Sequence, residues 1–239
     1  MTGIAGVANT GSDRNWCGHH FAQANWYAFG RLAWDYSLSS DEISEEWIRM
    51  TWGNDDRIVS TIKSIMSGSW EAVVNYMTPL GLIFTMDGQH YEPGHEKRNN
   101  RYWFADSQGL GYERTRSGTG AVDQYFSPIN DRFNNIKTAP EKYISYFHKV
   151  DWDHQMKSGN TFWQELCLKY DKGLDYVNTM ISLWESLKPL IDDERYQHVL
   201  NKLEEQQQHA EKWHNKSTQF FRKFSDYPCD MRSASSSAE

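Results

Sequence analysis

The chain has 239 residues, 38% of them hydrophobic, and a formal charge of −7, so it can bury a sizeable core in one large domain with a tail or in two small ones. Net acidity removes the diffuse attraction to phosphate on which nucleic-acid binding depends and disfavours anionic membranes. No apolar run approaches the roughly 18 residues of a membrane span, and Cys17, Cys167 and Cys229, odd in number and without CxxC spacing, read as free thiols rather than a disulfide framework or zinc knuckle.

The first residues lack the basic and apolar regions of a secretory signal, so no address is visible and the compartment stays open, with the cytoplasm or periplasm favoured over secretion. Eleven tryptophans and 15% aromatic residues stand beside a mean hydropathy of −0.79. Rings therefore supply much of the apolar surface, and flat amphipathic rings suit either helix packing or stacking on sugar faces.

In chain order, GIAGVAN reads as a buried strand and TGSDRNWCGHH as the loop leading into a helix. No later run of β-branched residues offers this strand a partner, so its backbone groups need a sheet from elsewhere. A strand, a polar loop and a helix form one βα unit, and in a (β/α)8 barrel that loop lies on the active-site face. Phe21, Ala24, Ala28 and Leu32 then recur at helical spacing over residues 19–34. Ser39 and Glu42 form a capping box for a second helix with Ile43, Trp47 and Met50 on one face. Asp55 caps a third carrying Ile58, Ile62 and Ile65, and SGSW restarts the chain as a fourth that TPLG breaks.

Over residues 81–139 no period of 3.6 or 2 is sustained, and a stretch this long and irregular tends to be functional when ordered. Pro140 opens a further helix with Tyr143, Ile144 and Phe147 turned inward. The strongest periodic signal follows, with Phe162, Leu166, Tyr170, Leu174, Val177, Ile181, Trp184 and Leu187 spanning about seven turns. Asp192 caps a last helix with the stripe Tyr196, Val199, Leu203, Ala210, Trp213, Phe220 and Phe224. The short PLIDD connection predicts an antiparallel hairpin of two long helices. The tail MRSASSSAE is small and polar, and mobility is expected of it. The predicted fold is thus mainly α, with two long antiparallel helices and a long irregular loop region, preceded by one βα unit. The boundaries are 1–34, 35–228 and 229–239.

The runs GVANTGSDRNWCGHHFAQANWYAFGRLAW, EEWIRMTWGND, VVNYMTPLGL, QHYEPG, ADSQGLGYERTRSGTGAVDQYF and SGNTFWQELCLKY resemble the carboxy-terminal part of the family 67 α-glucuronidases. The resemblance extends over residues 3–228. It implies an enzyme built of a β-sandwich, a catalytic (β/α)8 barrel and a helical domain. Such an enzyme removes glucuronic acid or its 4-O-methyl ether from xylo-oligosaccharides, with inversion and without a cofactor. On this reading residues 1–34 are the last βα unit of a barrel whose remainder is absent.

Inverting hydrolysis needs a carboxylic acid and a carboxylate base roughly 6.5–9.5 Å apart. In the resembling family these sit on earlier barrel strands, so no catalytic residue is assigned here, and the chain alone is expected to be inactive. Asp41, Glu45 and Glu46 fall at a helix start, where acidic groups stabilise the dipole, whereas Asp13 and Glu92 fall in loops. The resemblance does imply a substrate rim of Asn9, Asp13, Trp16, His19 and His20 after the eighth strand, and of His90 and Tyr91 in QHYEPG. The family commonly carries two histidines and then a Pro-Trp pair in that loop. Here Gln89 precedes His90 and GHEKRNNRYW follows Pro93, which leaves the aromatic contact to Trp103 or Tyr102.

Other readings of these residues compete. A metal site at Cys17, His19 and His20 would need a further ligand such as His90, His95 or His154 in tetrahedral geometry, and adjacent histidines at the mouth of a helix do not point together. A Cys17 nucleophile would need a hydrogen-bonded base and an oxyanion hole. A stand-alone module stacking sugars on Trp16, Trp26 or Trp103 is the main alternative, since the chain has aromatics but no acid and base pair. The resemblance also implies homodimer contacts through the helical domain. Leu168, Tyr176 and Leu183, off the main stripe of the long helix, favour such an interface.

Overall fold

The computed structural model describes residues 3, 5–8, 12, 15–83, 85–86, 91–94 and 105–225. Among them are the α-helices α1 (His20–Trp34), α2 (Ser40–Thr51), α3 (Asp56–Ser67), α4 (Ser69–Met77), α5 (Ile129–Asn134), α6 (Ile144–Phe147), α7 (Phe162–Glu185) and α8 (Asp193–Phe221). β-Structure among the described residues is confined to isolated bridges such as Leu110 with Val150 and Met86 with Pro93, so the fold is mainly α. Residues 3 and 5–8 of GIAGVAN are not in a strand. An extended segment without a neighbouring sheet has nothing to pair with. The tail expected to be mobile lies outside the described residues.

Two compact units divide the chain, Met1–Trp70 with Tyr176–Gln207 and Glu71–Asp175 with Gln208–Glu239. Each long helix therefore contributes one end to each unit. Their pairing is antiparallel, as predicted: Trp184 stacks on Tyr196 with ring centroids 6.0 Å apart, Gln207 Nε2 donates to Asn178 Oδ1 at 2.7 Å, and His214 Nε2 lies 2.7 Å from Asp171 Oδ1.

In the first unit the helix starts follow the local chemistry of the sequence. Ser39 and Glu42 make the reciprocal capping box of α2, and the Asp55 carboxylate caps α3 through the Arg57 N–H. Ile43, Trp47, Ile48, Trp52, Ile58, Val59, Ile62 and Ile65 are buried there with Val177, Met180 and Trp184 of α7 and Leu187 just beyond its end. Trp184 is the centre of this core, meeting Phe21 at 6.0 Å and Trp52 at 5.3 Å edge to face. The C-terminus of α3 is closed from far along the chain, because Tyr176 Oη accepts from the Gly68 N–H at 3.0 Å and donates to Ser64 O at 2.5 Å. Tyr176 thus has an internal task, and Leu168 and Leu183 are half-buried. Beside α1, a groove of about 390 Å³ is lined by Ala28 and Leu32 together with Ile43, Trp47, Lys63 and Met66. Trp34 and Tyr36, just beyond it in the chain, are 88% and 84% exposed.

The second unit is built on Phe162, Trp163, Leu166, Cys167 and Tyr170 of α7 with Phe220 and Phe221 of α8, against Leu110, Ile144, Val150 and Trp152. The irregular region is drawn onto this core by backbone contacts. Gly111, at φ +109, lies where a Cβ would come within 2.3 Å of His148 O, so only glycine allows the close approach of the two segments. Leu80 is held at φ +56, with its carbonyl accepting from the buried Ser145 hydroxyl at 2.7 Å. The helix expected at Pro140 is shorter than predicted. A 3-10 turn, Glu141–Tyr143, precedes a single α-turn, Ile144–Phe147, and Tyr143 points outward at 42% exposure.

The thiol reading of the cysteines needs correction: Cys17 is free, but Cys167 is disulfide-bonded. A paired cysteine outside any CxxC run leaves no local spacing signature.

Gly173, the weak point of α7 by propensity, permits close packing. A Cβ there would meet Tyr76 N at 2.7 Å, Tyr76 Cβ at 2.9 Å and Ala72 O at 3.0 Å, mostly backbone that cannot give way. Gly173→Ala should therefore destabilise the protein by about 1–3 kcal/mol, although it would add about 1 kcal/mol of helix propensity in an open site. Urea denaturation checks this, and a raised midpoint would contradict the contact between α4 and α7.

Candidate functional site

At the start of α1 the chain turns at Gly18, whose N–H donates to Asn15 O at 2.6 Å, and His19 takes the capping position. Its Nδ1 accepts from the Phe21 N–H at 3.0 Å, doing for α1 what a serine or aspartate does elsewhere. This cap needs an imidazole lone pair, and the surroundings preserve it: burial first, then His198, His20 and Lys202, push His19 down to about 4. His20 Nδ1 lies 3.0 Å from His198 Nδ1, a contact in which one ring must be a neutral acceptor. Burial and His198 also lower His20. Trp16, 39% exposed, leans on Trp26 with centroids 6.0 Å apart. Trp26 in turn is covered by Gly6, where a Cβ would come within 2.6 Å of its ring, so it does not present a free stacking face.

In the second unit, residues 91–94 form a short anchored segment. The Trp213 Nε1–H donates to Tyr91 O at 2.7 Å, and Glu92 pairs with Lys212. The Gly94 N–H donates to Thr85 O at 2.9 Å. The Tyr91 ring meets His209 edge-on at 6.1 Å and is otherwise 65% exposed. The hydrogen bond with Lys212 holds the Glu92 carboxyl below its ordinary range.

Of the substrate rim expected from the sequence, the structure brings His19 and His20 to His198 in the first unit, where Trp16 packs on Trp26, and places Tyr91 in the second. Asn9, Asp13, His90 and Trp103 lie outside the described residues, as does Tyr102. The other carboxylates have structural partners. Glu46 accepts from Tyr27 Oη at 2.8 Å and pairs with Arg31, while Glu45 pairs with Arg49 and Lys63. Lys63 also holds Asp41 at 2.9 Å. Among the described residues no group of three or more His, Cys, Asp or Glu side chains is arranged to hold a metal ion, and no helix is long and apolar enough to cross a membrane. Sequence reasoning missed His198 as the partner of His20 and took Trp213 only as a core residue. A contact spanning 178 positions leaves no local pattern, and an indole in an apolar stripe does not announce where its N–H points.

Residues 17–234 match the model of the glycosyl hydrolase family 67 C-terminus. The chain belongs to this family. It is 37% identical to alpha-glucuronidase A of Emericella nidulans over 95% of its own length, and 37% identical to the alpha-glucuronidase of Hypocrea jecorina, again over 95%. Alpha-glucuronidase A of Aspergillus tubingensis is 34% identical over the same share. The chain spans about 28% of the length of each of these curated relatives. The family 67 match starts at the free Cys17 and takes in both His19–His20 and the Tyr91 segment.

His19 and His214 titrate in opposite directions. His19, at about 4 against an ordinary 6.5, is protonated first in the unfolded chain. Its stabilising effect is complete above about pH 6.5 and is lost as pH falls towards 4. His214 is raised, chiefly by its hydrogen bond to Asp171, so its contribution is present in acid and lost as pH rises through its folded value. Histidine ring NMR should find His19 neutral down to about pH 4 and His214 titrating above 6.5; a normal titration of His19 would remove the imidazole cap.

Proposed function

We propose that this chain is the helical carboxy-terminal part of an α-glucuronidase that removes (4-O-methyl)glucuronic acid from xylo-oligosaccharides by inverting hydrolysis, and that it completes the rim of the substrate pocket. The observation that carries the proposal is the similarity to named alpha-glucuronidases over 95% of the chain. Residues 1–34 are assigned to the last βα unit of a (β/α)8 barrel, and 35–228 to the helical domain. The groove along α1 and the exposed Leu32, Trp34 and Tyr36 support a covering barrel, since apolar surface of this kind is commonly buried by a partner.

Trp16, His19 and His20, with Asn9 and Asp13, are assigned to substrate contact in the first unit, where imidazole and amide groups would meet sugar hydroxyls and carboxylate. Tyr91, with His90 and Trp103, is assigned to contact with the aglycone in the second, where a ring would stack on xylose. The acid and base of hydrolysis are assigned to the barrel, which fits the engagement of Asp41, Glu45, Glu46 and Glu92 in ion pairs. Homodimerisation is part of the proposal, now supported by exposed Trp70 and Phe126 rather than by Leu168, Tyr176 and Leu183. A disulfide at Cys167 favours an oxidising compartment over the cytoplasm.

A stand-alone sugar-binding or structural module is the second reading, favoured by the exposed Trp16 and Tyr91. Aldotetraouronic acid separates the alternatives. The purified chain should release no glucuronic acid from it but should bind it weakly and saturably in calorimetry, with unsubstituted xylotriose giving less heat. Release of glucuronic acid by the chain alone would overturn the assignment of catalysis to the barrel. Absence of binding would leave a structural module in place of a pocket-completing one.

A further inference from the structure

An exposed aromatic ring recognises a sugar best when its backbone is fixed, because ordering it on binding takes free energy away from the contact. Tyr91 is fixed in this sense while its ring remains open to solvent. Its carbonyl receives the N–H of Trp213, an indole that is fully buried in α8. The next residue, Glu92, reaches back to the neighbouring Lys212, and its Oε1 lies 3.6 Å from His209 Nε2. Pro93, buried, bridges to Met86, and Gly94 is tied to Thr85, itself buried, with its hydroxyl donating to Met77 O at 3.1 Å. Two consecutive residues of one helix therefore hold two consecutive residues of the segment, one through a neutral hydrogen bond and one through a charge pair. His209, one turn earlier on α8, supports the Tyr91 ring at its edge.

We propose that Trp213 and Lys212 are positioning residues, and that with Glu92 they set the Tyr91 ring as a stacking platform for the xylose side of the substrate. The inference rests on the reading that Tyr91 faces sugar. The Trp213 N–H fixes where the Tyr91 backbone sits, and the Glu92–Lys212 pair fixes the direction in which the segment leaves it. A core indole whose N–H did nothing beyond avoiding an unpaired buried donor would leave Tyr91 indifferent to the neighbouring charge pair.

Fluorine NMR of the whole chain labelled with 3-fluorotyrosine tests this, with the Tyr91 signal assigned by its loss in Tyr91→Phe. The parent chain should give one sharp Tyr91 resonance. Trp213→Phe, which removes the N–H, and Glu92→Gln or Lys212→Met, which remove the charge pair, should each broaden or split it while the other tyrosine signals stay in place. An unchanged Tyr91 signal in Glu92→Gln and Lys212→Met overturns the proposal, and these surface changes carry the test even if Trp213→Phe does not fold. Aldotetraouronic acid is then added to the parent and to Glu92→Gln. A shift of the Tyr91 signal in the parent, with affinity about tenfold weaker in the variant, supports both the platform and its positioning. No shift in the parent, with the sugar-free effects intact, refutes the sugar-facing reading and leaves the anchoring established.

Discussion

An indole stacked on a phenol ties the two long helices together at their connected ends. Trp184 of α7 lies over Tyr196 of α8, nearly parallel at 10°, and its N–H donates to the Tyr196 carbonyl at 3.1 Å. Within the first unit the contact fixes the register of the hairpin and brings Asn178 opposite Gln207. The second unit has its own pair across the helices, Asp171 with His214. Because Trp184 also receives Phe21 and Trp52 edge-on, the first unit is assembled around the same ring that sets the hairpin. Aromatic pairs of this kind contribute about 0.5–1.5 kcal/mol each beyond the area they bury.

Polar side chains in this protein are mostly committed to holding elements in place. An arginine fork and a tyrosine hydroxyl converge on Glu46 to pin α1 to α2, and an imidazole caps α1. A lysine in α3 bridges two acids of α2. Hydrogen bonds from these cationic partners hold Glu45 and Glu46 below the ordinary carboxylate range, the opposite of what a general acid requires. Trp16 and Tyr91, by contrast, expose rings beside well-fixed backbone, which suits recognition rather than proton transfer.

The helices with local signals were legible from the sequence. The capping box at Ser39, the Asp55 cap and the two long stripes each depend on side chains a few positions apart, and each stands where the pattern put it. Misreadings occurred where distant contacts override local preference. Tyr143 faces solvent because the chain at Pro140 makes a 3-10 turn before its single α-turn, and Cys167 is paired although no spacing marked it. Gly173 looked like a weakness of α7 until the close approach of Ala72 and Tyr76 gave it a reason. For the site, the aromatic and histidine residues could be named from the family pattern, but not the atoms that hold them. His198, Lys212 and Trp213 reach the candidate site only through the fold.

Tyr176 carries one further consequence. Its hydroxyl adds a clasp to the end of α3 from 108 positions away, beside the local bonds that the Ser67 and Ser69 hydroxyls donate to Ser64 O and Met66 O. During folding, α3 can form from its Asp55 cap as soon as that stretch of chain exists, but the Tyr176 clasp waits until α7 arrives and a loop of more than a hundred residues has been closed. Contacts so far apart slow the search for the native state. The clasp is therefore a late-formed joint, and its order reports on whether the first unit has been assembled from both of its chain segments.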